Sequence, residues 1–219
     1  MANRCESPIS AAVAEYNNPP TPELVTRIFQ AIWQAREKLA NGVKFEVTPC
    51  SFSQDELTRF ERENRGVSYL PESCATQGNR YVLGTVFPKM EHGSLRRNNI
   101  FPNSNSPSGW FDYEKSIKAP YLGIMENEFS DRLFRKGMKL LSLNQYAVAG
   151  QDSKLFREQY LDEEDTWTYV NSCIGGNLAQ ARFNPDGAFS VIWNLYSWDS
   201  SSVVGVRSSE TKIDLASKL

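Results

Sequence analysis

Histidine is almost missing from this chain of 219 residues: His92 is its one example. A metal site built from several imidazoles is excluded by that count, and any Cys/His pair would have to use this residue. Cysteine is sparse as well. Cys5, Cys50, Cys74 and Cys173 lie far apart with no CxxC spacing, which excludes a zinc knuckle and a dense disulfide framework and leaves reduced thiols as the expectation. No apolar run approaches the roughly 20 residues of a membrane span. Glu6 and Pro8 interrupt the stretch where a signal peptide needs continuous apolar residues. A basic excess is lacking too. Lys and Arg number 24 against 26 Asp and Glu, a net charge of −2, and the cations are scattered, so nucleic acid is not an expected partner. The glycine signatures GxGxxG, GxxxxGK[ST] and GxSxG do not occur, which removes the usual marks of dinucleotides, nucleotide phosphates and a nucleophile elbow. No cofactor is implied.

What is present is ordinary for a soluble globular protein: 40% hydrophobic and 23% charged residues. The expectation is an arm over residues 1–20, ending in Asn17-Asn18-Pro19-Pro20, followed by one α+β domain over 21–219. Thr21 and Pro22 open a helix whose apolar face carries Leu24, Ile28, Phe29, Ile32, Trp33 and Leu39, with Gly42 ending it. Residues 43–47 read as a short strand. Ser53 and Glu56 form a capping box for a second helix with Leu57 and Phe60, running to about Gly66. Residues 81–87 read as a strand. The Asn-, Pro- and Ser-rich residues 96–110 form the longest loop. Ser130 is expected to cap a helix carrying Leu133 and Phe134, and Asp152 another carrying Leu155, Phe156 and Tyr160. The setting expected is cytoplasmic or virion-associated, with the terminal Ser217-Lys218-Leu219 a peroxisomal address only in a eukaryotic host.

Two groupings suggest chemistry. Cys173, in Ser172-Cys173-Ile174-Gly175-Gly176, could act as a nucleophile beside glycine amides with His92 as base; a buried thiol and a surface imidazole are the plainer alternative. The run Asp162-Glu163-Glu164-Asp165 could attract a hard cation, but it lacks the alternation of a calcium loop and is expected to be a solvated turn.

Residues 181–209 stand apart. From Phe183 to Ser209 there is no Lys, Glu, Gln or Met, while Ser occurs seven times beside Trp193, Tyr196 and Trp198. Rigid aromatics with small adaptable polar residues are the composition of a paratope-like surface. In the strand pattern of residues 188–193, Phe189, Val191 and Trp193 share an apolar face assigned to the core. Ala188, Ser190 and Ile192 share the other, assigned to the surface. Leu195, Tyr196, Ser197, Trp198, Ser200 and Ser202 follow in a stretch too polar for a buried strand and too aromatic for an idle loop, and they complete a set of nine expected ligand-contact residues. Val203-Val204-Gly205-Val206-Arg207 reads as a closing core strand. An ordinary β-hairpin with a Ser-rich tip explains the same residues without any ligand.

The stretch Lys136-Gly137-Met138-Lys139-Leu140-Leu141-Ser142-Leu143-Asn144-Gln145-Tyr146-Ala147-Val148-Ala149-Gly150 resembles a segment shared by formylglycine-generating-enzyme-type domains and related C-type-lectin-fold proteins. Gly175-Gly176-Asn177 stands where those proteins have an Arg-Gly-Gly-Ser-Trp motif, and Ala181-Arg182 and Gly205-Val206-Arg207 stand where they have later strands. The resemblance covers roughly residues 130–209. The formylglycine-generating enzymes use a pair of cysteines near the end of the domain, where this chain has Cys173 alone. The match is better to the variable proteins of diversity-generating retroelements, found in phages, bacteria and archaeal viruses. That resemblance implies a C-type-lectin-like fold with an N-terminal helical extension. It also implies a hypervariable surface for a protein or glycan ligand, a cell-surface receptor among the options, with no catalytic residue, metal or cofactor. Codon changes of that system cannot produce Lys, Glu, Gln, Met or Trp, so Trp193 and Trp198 would be fixed scaffold, although Trp198 can also be read as a contact. A formylglycine-generating or other thiol-dependent enzyme, and a virion structural protein, are the alternatives.

Overall fold

The computed structural model describes residues 13–16, 20–75, 80–92, 106–123, 128, 133, 136–174, 177–193 and 202–210. The chain is α+β, with helices concentrated in the first half and after residue 142 and strands dominating the end. Helix α1, Pro22–Glu37, starts as its sequence dictates: the Thr21 side chain accepts from Leu24 N at 3.2 Å and Pro22 takes a position that needs no donor. Val25, Ile28, Phe29, Ile32 and Trp33 are buried on its inner face. Leu39, expected on that face, lies beyond the helix end and is exposed. Residues 43–47, expected as a short strand, form none. They are held by side chains instead, Glu37 Oε1 accepting from Phe45 N at 2.9 Å and Gln30 Nε2 donating to Val47 O.

Helix α2, Gln54–Arg62, carries the expected capping box of Ser53 and Glu56 and buries Leu57 and Phe60. It stops before Gly66, because Asn64 turns the chain at φ 55° into strand β1, Arg65–Leu70. Strand β1 pairs antiparallel with β2, Gly109–Glu114, and is buried on both faces, lying against α2 on one side and the later helix α5 on the other. Two short helices follow β1: α3, Glu72–Ala75, and α4, Arg80–Val86, then a 3-10 turn over Pro88–His92. The expected strand over 81–87 is therefore a helix. Its β-branched residues favour a strand locally, but Leu83, Val86 and Phe87 recur at helical spacing and all three are buried. Of the loop over residues 96–110, 93–105 lie outside the described residues, and 109–110 already belong to β2. Ser130 and Phe134 are likewise outside them, while Leu133 is buried.

Strand β3, Lys139–Leu140, leads into helix α5, Leu143–Arg157. Its cap, Ser142, lies ten residues before the one expected at Asp152. Ser142 and Gln145 make its capping box, and Asp152 sits inside the helix, fully buried. There Asp152 Oδ1 accepts from Arg36 Nη2 of α1 at 2.7 Å while Oδ2 accepts from Ser68 Oγ of β1. Burial pushes the Asp152 carboxyl up from its ordinary value, against the pull of Arg36 and Ser68 in the other direction.

The last sheet holds β4, Trp167–Ile174; β5, Asn177–Phe183; β6, Phe189–Trp193; and β7, Val204–Val206, in the order β6-β5-β4-β7. Neighbours are antiparallel except β4 and β7, which are parallel. Of the closing strand expected over residues 203–207, Val204–Val206 forms it, with Val203 in the preceding turn and Arg207 beyond its end; it lies on the far side of the sheet from β6, so β6 and β7 are not a hairpin. Strands β6 and β7 are the two edges of this sheet, with β5 and β4 between them. Strand β8, Ser208–Ser209, then pairs with β3. One apolar cluster joins α1, β1, β2 and α5 to the inner face of β4, β5 and β6.

Candidate ligand-binding face

Strand β6 is set by the turn Asn184-Pro185-Asp186-Gly187. Asn184 N donates to Ala188 O and Gly187 N to Asn184 O, each at 2.9 Å, and Asp186 Oδ1 accepts from Ala188 N. Gly187 has φ 88°, a left-handed backbone, and a Cβ there would lie 2.6 Å from Tyr160 Oη. The turn fixes the register Phe183↔Phe189, Ala181↔Val191 and Gln180↔Ile192. Alternation does the rest. Phe189 is buried against Phe183 and Tyr146, and Val191 is buried in the same core cluster. Ala188 and Ser190 are half-buried on the outward face, and Ile192 is 40% exposed. The division of this strand into a scaffold side and a surface side is the expected one. The side chain of Trp193 lies outside the described residues, as do Leu195, Tyr196, Ser197, Trp198 and Ser200. Ser202 is exposed in the turn that leads into β7.

The far end of this stretch is clamped by polar groups. Arg207, fully buried, donates from Nη2 to Asp162 Oδ1 at 2.9 Å, from Nη1 to Glu114 O at 2.8 Å and from Nη2 to Ile117 O at 3.0 Å. Asp162 also accepts from Tyr146 Oη, Thr166 Oγ1 and Thr168 Oγ1, each at 2.7 Å. The acidic run is therefore not uniformly solvated. Asp162 and Asp165 turn the chain at φ 61° and 63°, and the four carboxylates differ: Asp162 is buried, Glu163 is half-buried and accepts from Tyr160 N at 2.9 Å, and Glu164 and Asp165 are exposed. Next to this clamp, Arg65 binds Asp112 and Glu114 while Ser208 N donates to Glu114 Oε2 at 2.8 Å. Burial pushes the Asp112 carboxyl up, with Arg65 opposing it.

On β5 and β4 the same side is largely covered. Leu178, Gln180 and Arg182 alternate with Ala179, Ala181 and Phe183, but Gln180 is 2% exposed and Leu178 and Trp167 pack against a second buried cluster of Leu133, Tyr169, Val204 and Val206; Arg182 lies over the Trp167 ring at 4.8 Å from its centroid. The alternation of Ala179, Ala181 and Phe183 with Gln180 and Arg182 is visible in the sequence; which residues of β4 and β6 flank them is set by register alone.

Other arrangements offer less chemistry. Cys173 lies in β4 and His92 ends the 3-10 turn, but both side chains are outside the described residues. Burial pushes the Cys50 thiol up to about 11 and the Cys74 thiol up to about 12, which keeps both protonated and weakly nucleophilic at neutral pH. Among the described residues no group of three or more His, Cys, Asp or Glu side chains could hold a metal ion, and no helix is long and apolar enough to cross a membrane. An open groove of about 550 Å³ lies between Gln30, Gln34 and Glu37 of α1 and residues 45–48; it shares no residue with the β6 face. Comparison with protein-family models, curated proteins and solved structures finds no match.

Proposed function

We propose that this chain is a binding protein that presents a variable surface to a protein or glycan ligand, on a C-type-lectin-like scaffold related to the variable proteins of diversity-generating retroelements. Its contact set is Ala188, Ser190, Ile192, Leu195, Tyr196, Ser197, Trp198, Ser200 and Ser202. The observation that carries the reading is the contrast along β6. Phe189 and Val191 are sealed in the core while their neighbours Ser190 and Ile192 face outward, so one side of the strand can change without disturbing the other. The clamp of Arg207 on Asp162 supports it, since it fixes the strand that follows the contact set independently of the side chains in that set. Composition agrees: long flexible side chains are missing from 183–209.

A display library tests the proposal. Positions 188, 190, 192, 195, 196, 197, 200 and 202 are randomised together and selected against several unrelated immobilised proteins and glycans. Specific binders whose thermal midpoints stay within a few degrees of the parent are expected. Library members that mostly fail to fold would refute a variable face. A reverse transcriptase gene beside a near-copy of the codons for 181–209 in the source DNA would identify the system independently.

A further inference from the structure

We infer that the groove between α1 and residues 45–48 is a docking site for a short extended segment of a protein partner, with an Arg side chain of that segment at the Glu37 and Glu46 end. The groove shares no residue with the β6 face, so the inference stands apart from the reading above.

The two walls of the groove run in opposite directions. Phe45 N donates to Glu37 Oε1 at 2.9 Å, and Gln30 Nε2 donates to Val47 O at 3.4 Å. Gln30, Gln34 and Glu37 follow the spacing of one helix face and span about 10 Å of α1. That length suits about three extended residues of a ligand. The volume, about 550 Å³, is that of a cleft able to hold such a segment. Gln30, Gln34 and Glu46 are exposed, and Val47 is half-buried, so the groups that line the groove are within reach of a partner. Val47 offers apolar surface to the methylenes of a long side chain.

Charge selects the occupant. Glu37 and Glu46 both line the groove, and no Lys, Arg or His among the described residues does. The Phe45 N–H, with Lys44, holds the Glu37 carboxyl below its ordinary value, so it is ionised at neutral pH. Lys44 Nζ meets Glu37 Oε2 at 2.9 Å, but from a side chain that is 81% exposed, a pair weak enough for a ligand to displace. Glu46 has no ion pair among the described residues, and the groove keeps a net negative charge. Gln30 turns its NH2 group to Val47 O, which leaves its Oε1 to accept as well. Acceptors spread along a wall suit the five donors of a guanidinium better than a compact ammonium. At the Gln30 end the groove is neutral, and an amide that both donates and accepts matches a peptide bond. A polyamine would need a carboxylate at each end. A sugar would seek an open aromatic face, and Phe45 is 7% exposed with its ring set against Trp33.

The test titrates the full chain, labelled with ¹⁵N, with the amide of acetyl-Ala-Arg-Ala. Saturable shifts are expected at the side-chain amides of Gln30 and Gln34 and at the backbone amides of Phe45 to Thr48. Citrulline in place of the peptide's Arg keeps its shape without its charge and should bind roughly tenfold more weakly. Glu46→Gln, an exposed change that does not threaten folding, should weaken the Arg peptide about two- to fivefold, and Lys44→Ala should tighten it by about as much through loss of the competitor. Equal binding of the citrulline peptide, no loss in Glu46→Gln, weaker binding in Lys44→Ala, tighter binding of spermidine, or no saturable shift at all would overturn the inference. If the library on the β6 face yields binders while this titration is silent, the groove alone is refuted.

Discussion

Arg207 and Asp162, 45 residues apart, meet at 2.9 Å with both side chains fully buried, and they hold the end of β7 against the turn before β4. Breaking such a pair strands a charge in the interior. Asp162→Ala is expected to cost about 3–5 kcal/mol, because Arg207 would keep only carbonyl partners. The double replacement Asp162→Leu with Arg207→Met should cost less than the sum of its parts. Urea unfolding of Asp162→Ala, of the singles Asp162→Leu and Arg207→Met and of their double checks both statements; additive losses would show that the two side chains act separately.

The two sides of β6 should respond oppositely to mutation. Ser190→Thr and Ile192→Thr face outward and are expected to change stability by no more than about half a kcal/mol. Phe189→Ala empties a site shared with Phe183 and Tyr146 and should cost about 3–5 kcal/mol. Thermal midpoints of the three proteins decide the matter.

Gly205 owes its place to close packing and not to its backbone angles. A Cβ there would stand 2.3 Å from Pro120 O and 2.8 Å from the Ala119 side chain, where Pro120 O accepts from Val206 N at 2.9 Å. Gly205→Ala must push the 119–120 segment off β7, a cost of about 1–3 kcal/mol or more. Faster amide exchange at Val206 than elsewhere in the sheet would be its signature.

The buried thiols make stability fall in alkali. The unfolded chain loses a thiol proton near 8.5, whereas the folded chain keeps those of Cys50 and Cys74 up to about 11 and 12. Below the unfolded value both states are protonated and stability is flat with respect to these groups. Above it the native state holds more protons, so stability declines as pH rises toward the folded values, by about 1.4 kcal/mol per unit for Cys74. In a variant with Cys5 and Cys173 changed to Ser, a thiol reagent at pH 8 should label the native protein far more slowly than the unfolded chain. Equal rates would contradict the burial of these residues.

Much of the local structure was legible because its causes are local. Thr21 with Pro22, and Ser53 with Glu56, bond within three residues of themselves, so their caps are visible in one dimension. The inner and outer sides of β6 follow from the pleat alone. Residues 81–87 went the other way: β-branched residues argued for a strand, and burial of Leu83, Val86 and Phe87 made a helix. Asp152 misled for a related reason, since a carboxylate that suits a helix cap also suits an interior ion pair, and its Arg36 partner is 116 residues away.

For the binding face itself, the sequence alone determined which residues of 188–192 point together, because side-chain alternation is a property of any extended chain. Tertiary structure decided what surrounds them. The parallel pairing of β7 with β4, the burial of Asp162 under Arg207 and the meeting of Arg182 with Trp167 depend on strands brought together across long separations. No short-range pattern encodes those meetings, since they are selected by the packing of the whole core and the need to pair each buried charge.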